Sequence, residues 1–188
     1  MLGYEIKQEV SKQLGGYPID WHGQSAAVVG SQILLPAIDD DFDYPEDVYR
    51  QMLGYGLHEL GHLRYTDHDQ WDWAVHNHGR YLGGLINGLE DVRIEQSMIR
   101  SGVDQALFEA ATNAALEDGY VKPDDRHNIC FVLAVEGRRL NGYRLACKSI
   151  LDESPWASPI WWALKKVRSA RSTSEVVTIA LRLDRRLQ

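Results

Sequence analysis

Cysteine is scarce in this chain: two of its 188 residues are cysteines, Cys130 and Cys147. Both have mainly apolar neighbours, and they do not form a C-x-x-C pair. A small secreted scaffold held together by disulfides needs a higher cysteine density, so this class is excluded and a reducing compartment is expected. A chain of this length can also bury a core without a metal. Any metal site is therefore expected to serve chemistry rather than folding.

Long apolar runs are missing as well. No uninterrupted apolar stretch reaches membrane-spanning length, and the first ten residues, MLGYEIKQEV, lack the apolar segment of a secretory signal. The hydrophobic fraction of 44% and the charged fraction of 25% are those of ordinary globular proteins. We expect a single domain over residues 1–188, a cytoplasmic location and no membrane partner.

Basic side chains are outnumbered, 20 against 27 acidic ones, for a formal net charge of −7. Residues 156–188 are the exception: seven basic against two acidic side chains give this segment +5 and leave −12 for the rest. Such a segment could meet nucleic acid or an acidic partner. Because the cluster contains no recognisable nucleic-acid-binding motif, solvated helix faces are favoured, and nucleic-acid binding stays an open alternative.

The pattern of elements predicts an α+β fold that is mostly helical, with a small sheet or hairpin. The segment SAAVVGSQILLPAI contains two short aliphatic runs around Gly30, which is typical of a hairpin. Further expectations are an opening helix at about 4–14, a helix from Pro45 to about Tyr65 and a surface loop carrying His76 and His78. A second strong helix should end near residue 102, and the remainder should be helical. One long helix is expected after Pro123 to Leu140, with a break at 141–142 left open before it extends to about 151, and later starts are expected at 158–159 and 172–175.

The predicted helix from Pro45 to Tyr65 carries HELGH, residues 58–62. Residues four apart lie on one helix face, so His58 and His62 can direct their imidazoles at one zinc ion. Glu59 is rotated by about 100° from His58, which places it beside the metal, where it can act on a water molecule as general base. The apolar flanks of the motif favour this interpretation over a chance occurrence on a surface helix.

A catalytic zinc site usually has three protein ligands, and HELGH supplies two. His68 has metzincin spacing, but Tyr65 stands where that class needs a glycine to turn the chain sharply. Asp67 has the same turning problem. Glu90 lies on the next strong helix and could be delivered as in gluzincins, although EDVRIE taken alone is more typical of a salt-bridged, solvated face.

Two segments together carry a resemblance to a known family. LHELGHLRYTD is followed about twenty residues later by NGLEDVRIE and is preceded by a segment ending in ILLP. Over residues 20–100 this arrangement resembles the HExxH region of cobaltochelatase CobT-like proteins of bacteria and phages, which are zincin-like metallopeptidases. The resemblance implies a zincin-like core at about 20–100 with a helical part at about 103–188. It also implies His58 and His62 as ligands, Glu59 as base, and an acidic ligand or supporting group among Glu90 and Asp91.

These considerations predict a gluzincin-like peptidase with one zinc ion per chain, held by His58, His62 and Glu90. Asp91 is expected to orient a ligand histidine through its other ring nitrogen. Tyr65, one turn after His62, is the preferred donor for the developing oxyanion. The substrate would be a peptide or protein, aligned along an edge strand within residues 32–35. The alternatives are a metzincin-like peptidase that uses His68 and a non-catalytic zincin-fold module that binds a partner.

Overall fold

A computed structural model describes residues 1–117, 128–151 and 154–188. The described residues form eight α-helices and three short strands, which confirms the predominantly helical α+β class. In chain order the elements are α1 (Gly3–Gln13), β1 (Ile19–Trp21), β2 (Ala27–Val29), β3 (Gln32–Leu35), α2 (Glu46–Tyr65), α3 (His68–His78), α4 (Arg80–Arg100), α5 (Gln105–Glu117), α6 (Ile129–Leu140), α7 (Ala157–Val167) and α8 (Thr173–Leu187).

The sheet has the strand order β1-β3-β2. The predicted hairpin is confirmed: β2 pairs antiparallel with β3, and Gly30 in the turn has a φ of +60°, where a Cβ would be unfavourable. β1 was not predicted, and it pairs in parallel with the other side of β3. The expectation that residues 32–35 form an edge strand is therefore wrong, because β3 is central. Within the described residues β2 pairs only with β3 and is an edge of this sheet.

Three further expectations need correction or stay open. The stretch with His76 and His78 is not a loop but the C-terminal part of α3, which Asp67 caps by accepting a hydrogen bond from the Gln70 amide at 3.1 Å. Residues 141–151 are not helical, so α6 ends at Leu140. The same helix was predicted to begin after Pro123, and the part of that prediction before residue 128 lies outside the described residues. The capping pattern at Ser172 is confirmed, since its side chain accepts from the Glu175 amide.

Helix α2 packs closely against its neighbours because it has glycines where they cross. A Cβ at Gly54 would lie 2.2 Å from the Leu107 carbonyl oxygen of α5, and one at Gly56 would lie 2.6 Å from the Leu14 side chain. Such close approach fixes the position of α2 between α5 and the end of α1. The helix that carries HELGH is thereby held in one place.

Helix α4 contributes to two hydrophobic clusters. Its first four turns, from Leu82 to Val92, pack with α6, α7 and α8, whereas Met98 packs with α1, β3, α2 and α5. A Cβ at Gly88 would lie 2.2 Å from the Cys130 carbonyl oxygen, so α4 and α6 also approach closely. The polar residues of α4 are consequently held rigidly opposite α2. No helix in the described ranges is both long enough and apolar enough to cross a bilayer.

Candidate metal centre

The His58 and His62 side chains of HELGH lie on the side of α2 that faces α4. The His58 and His62 side chains are 17% and 12% exposed, and Glu59 is buried. The two imidazole rings approach edge to face, with centroids 5.0 Å apart. The helical i, i+4 spacing therefore brings both imidazoles to one point, as the sequence predicted.

Asp91 of α4 is the third side chain at this point. Its Oδ1 atom lies 3.2 Å from His62 Nε2 and 3.6 Å from His58 Nε2. Two atoms that are each about 2.1 Å from a tetrahedral ion lie about 3.4 Å apart, so these separations match those of ligands sharing one ion. Among the described residues, His58, His62 and Asp91 are the group that could hold a metal, with donor atoms all within 4.8 Å of one another. We call this group the His-His-Asp cluster.

The Nδ1 atom of each imidazole is hydrogen-bonded to a neighbouring side chain, which orients the Nε2 atom towards Asp91. His58 Nδ1 lies 2.7 Å from Glu95 Oε1, and His62 Nδ1 lies 3.0 Å from Thr66 Oγ1. Glu95 is itself fixed, because it accepts hydrogen bonds from the Arg138 guanidinium at 3.0 Å and from the Tyr143 hydroxyl at 2.9 Å. Supporting contacts of this kind hold ligand histidines in metal sites. The cluster therefore has both its donors and their support.

The charges around His58 favour its protonated form. Burial acts against the imidazolium, but the negative charge of Asp91 and the hydrogen bond to Glu95 outweigh it and raise the pKa of His58 to about 9. Burial likewise acts against the charged form of Asp91, yet the His58 and His62 side chains hold the pKa of that carboxyl below its usual range. At neutral pH a metal ion must therefore displace a proton from His58.

Glu90 lines a cavity together with both histidines, but it is not part of the His-His-Asp cluster. It accepts two hydrogen bonds from Arg93, at 2.8 and 2.6 Å, and a third from Thr173 Oγ1 at 2.8 Å. Arg93 also donates to the Tyr65 carbonyl oxygen, and the Asp67 amide donates to Thr173. Glu90 thus differs from its expected place, because it joins α4 to α8 and to the end of α2. Asp91 faces the Nε2 atoms directly, and Glu95 takes the orienting position.

Two cavities meet at the cluster. The smaller, with a volume of about 290 Å³, and the larger, of about 420 Å³, share four lining residues: Ala26, His58, Glu59 and Asn87. Among the described residues no group donates a hydrogen bond to the Glu59 carboxylate, and burial raises its pKa, against the opposing effect of the two histidines. A carboxylate with a raised pKa that lines both cavities beside a metal-binding cluster has the properties of a general base.

Other predicted site residues lie at different distances from the cluster. Tyr65 packs against the hydrophobic cluster around α1 and β3 and lines neither cavity, so its expected role as oxyanion donor is not supported. His68 is exposed at the start of α3 and lines the smaller cavity, but it lies outside the His-His-Asp cluster. Asp67 caps α3 instead.

The sequence interpretation missed two residues on the face of α4 that carries Asp91. Asn87, Asp91 and Glu95 are four residues apart, so they lie above one another on the helix. Asn87 is exposed and lines both cavities, although nearly all its helical neighbours are buried. The i, i+4, i+8 spacing of three polar residues along this helix was the available signal.

Replacing Thr66 by valine tests the support of His62. The two side chains have the same shape, so the fold should persist, but His62 Nδ1 loses its partner and the ring its orientation. We expect zinc affinity to fall about 10- to 100-fold, the usual effect of removing such a contact. Competition with a chromophoric chelator measures the change, with Thr178→Val on the exposed face of α8 as control. Equal affinity in wild type and Thr66→Val would contradict this role.

The geometry of the cluster stands without help from known relatives. Comparison of the chain with protein-family models, with curated proteins and with solved structures gives no match.

Proposed function

We propose that this protein is a zinc-dependent metallopeptidase whose metal is held by His58, His62 and Asp91. One observation carries the proposal: two imidazole Nε2 atoms and a carboxylate oxygen converge beside the unpaired carboxylate of Glu59, at the junction of two cavities. Two imidazoles and one carboxylate, with a further position open, form a donor set that suits a catalytic zinc ion. The resemblance to zincin-like proteins points in the same direction.

The proposed reaction is hydrolysis of a peptide bond. When bound, zinc supplies Lewis acidity, which polarises a carbonyl and makes water a stronger nucleophile at neutral pH. Glu59 accepts a proton as the water oxygen forms its bond to the carbonyl carbon. Glu59 then returns that proton to the leaving nitrogen as the C–N bond breaks. Its raised pKa suits the first of these steps, because a stronger base accepts the proton more readily.

The edge strand β2 is the proposed guide for the substrate. Ala27 and Val28 of β2 line the smaller cavity together with His58 and Glu59. Since β2 pairs only with β3 in the part of the chain that the structure describes, an extended peptide can add to its other side through main-chain hydrogen bonds. Asn87 and His68, which also line this cavity, are the proposed polar contacts to the peptide. Asn87 replaces Tyr65 as the preferred donor to the reacting carbonyl.

A second candidate is a module that binds a partner strand and cleaves nothing. The observation that favours it is the same edge, where Val29 is 59% exposed. An exposed apolar side chain on an unpaired edge strand suits β-addition of a partner segment. The two candidates differ in whether the bound chain is cleaved.

Metal content tests the proposal first. Protein produced with ample zinc and iron should contain about one zinc per chain, and His58→Ala and His62→Ala should each abolish it because each removes a ligand. The control is His76→Ala, since His76 is exposed on α3 outside the cluster. Chelation should abolish cleavage of unfolded protein, and added zinc should restore it. Elemental analysis that finds no metal, or iron alone, would contradict the proposal, because His₂-carboxylate sites also suit iron.

A further inference from the structure

The larger of the two cavities has an apolar wall that the proposed chemistry does not use. This wall belongs to α5 and α6, and it is lined by Phe108, Ala111, Ala115, Phe131 and Ala134. We call this part of the larger cavity the apolar pocket. Because His58 and Glu59 line the same cavity, a group in the apolar pocket lies next to the proposed reaction centre.

The size of the cavity suits a large side chain. Its volume is about 420 Å³, whereas a dry apolar cavity of about 150 Å³ already holds a benzene molecule. Three of its five wall residues are alanines, which leave open the space that leucine would fill. One face of α5 and one of α6 thus form an open apolar surface beside the polar residues of the cavity. Apolar pockets of this size are typical of ligand sites.

Two polar groups on the wall side of the cavity are paired within the protein. Arg138 is held by Glu95, and the Thr112 hydroxyl donates to the Phe108 carbonyl oxygen at 2.7 Å. A charged side chain placed against Phe108, Phe131 and the three alanines would lose its hydration, and these five side chains offer it no hydrogen-bond partner. An apolar side chain of the same size would lose nothing and would remove apolar surface from water.

We infer that the apolar pocket receives a large apolar side chain, such as leucine, methionine or phenylalanine, from the residue beside the cleaved bond. This inference rests on the proposed function and adds a substrate class to it: peptides with such a side chain at one position next to the scissile bond. Ala115 is the residue that sets how large the side chain can be, since it is half-buried and lines the cavity. Ala114, its neighbour on α5, does not line it.

The test measures binding separately from cleavage. Metal-free and zinc-loaded protein, labelled with ¹³C at the alanine methyls, is titrated with the N-acetyl amides of leucine, phenylalanine, lysine and glycine and followed by NMR. The leucine and phenylalanine amides should shift the Ala111 and Ala134 methyls and bind at least tenfold more tightly than the other two. Ala115→Leu should remove most of that preference, with Ala115→Val intermediate, and Ala114→Leu should behave as wild type.

The outcomes separate this inference from the proposed function. If leucine amide binds no more tightly than glycine amide, or if Ala115→Leu and Ala115→Val fold and bind it as wild type does, the apolar pocket has been assigned wrongly. If the preference follows Ala115 but no peptide is cleaved with zinc present, the pocket stands and the peptidase proposal fails. If peptides are cleaved, their cleavage sites should carry leucine, methionine or phenylalanine at one fixed position, and Ala115→Leu should shift that position towards alanine and glycine.

Discussion

Asp91→Ala is expected to lower zinc affinity by several orders of magnitude, whereas Glu90→Gln should still bind one zinc per chain. The reason is the direction of the two carboxylates. Asp91 Oδ1 lies 3.2 and 3.6 Å from the two Nε2 atoms, whereas Glu90 is occupied by Arg93 and Thr173. Removing Asp91 therefore deletes one of three proposed ligands, and the two histidines that remain form an incomplete site. Competition with a chromophoric chelator gives both affinities.

The Glu90 variant should fail in a different way. Glutamine keeps the volume of the side chain but leaves the buried Arg93 guanidinium without its counter-charge, and breaking a buried pair in this way costs about 3–5 kcal/mol. We expect a marked drop in thermal stability at unchanged zinc stoichiometry for the folded fraction. Arg93→Met provides the matched control, because it disrupts the same pair from the other side. If Glu90→Gln folds but binds no zinc, or if Asp91→Ala binds zinc with wild-type affinity, the third ligand would be Glu90 rather than Asp91.

The parts of the fold that sequence could predict are those set by local rules. The HELGH spacing places His58 and His62 on one face whatever surrounds the helix. Gly30 marks the turn of the hairpin because it supplies a positive φ. The start of α8 follows from Ser172, whose side chain accepts from a backbone amide three residues later. Each of these features depends on residues within one or two turns of chain.

The parts that sequence could not predict depend on distant partners. Glu90 and Asp91 are adjacent, and a rotation of about 100° along the helix decides which one meets the histidines. That rotation is fixed by Thr173, 83 residues from Glu90, and by Arg138, 43 residues from Glu95. No local pattern in NGLEDVRIE records these contacts. β1 was not predicted because it also depends on a distant partner: a three-residue strand gains its structure from pairing with β3.

The polar residues of α4 divide into two sets with different tasks. Asn87, Asp91 and Glu95 line the larger cavity, whereas Glu90 and Arg93 form a buried pair in which Glu90 also accepts a hydrogen bond from Thr173 of α8. The second set holds α4 against the C-terminal end of α2, through the Tyr65 carbonyl oxygen, and thereby fixes the distance between Asp91 and the histidines. EDVRIE therefore contains both an ion pair, Glu90 with Arg93, and a potential metal ligand, Asp91, but the ion pair is buried rather than solvated.

Glu59→Gln is expected to separate metal binding from catalysis. Glutamine has the shape of glutamate and removes none of the three proposed ligands, so zinc should remain at about one per chain with affinity close to that of wild type. The amide cannot accept the proton of the attacking water, and loss of a general base typically lowers the rate about 10²- to 10⁴-fold. The measurement is kcat/KM on a quenched fluorescent peptide with leucine or phenylalanine at the varied position, at matched zinc occupancy.

Glu46→Gln is the matched control for this variant, because Glu46 is exposed in the first turn of the same helix and faces no cavity. It should retain wild-type zinc content and wild-type rate. If Glu59→Gln keeps both its zinc and its full activity, Glu59 is not the base and the proposed mechanism is wrong. A third outcome would favour the non-catalytic module: wild type and Glu59→Gln bind zinc equally, neither cleaves a broad peptide library, and both capture the same partner segment along β2. The reason is that strand addition needs the edge of the sheet and not the base.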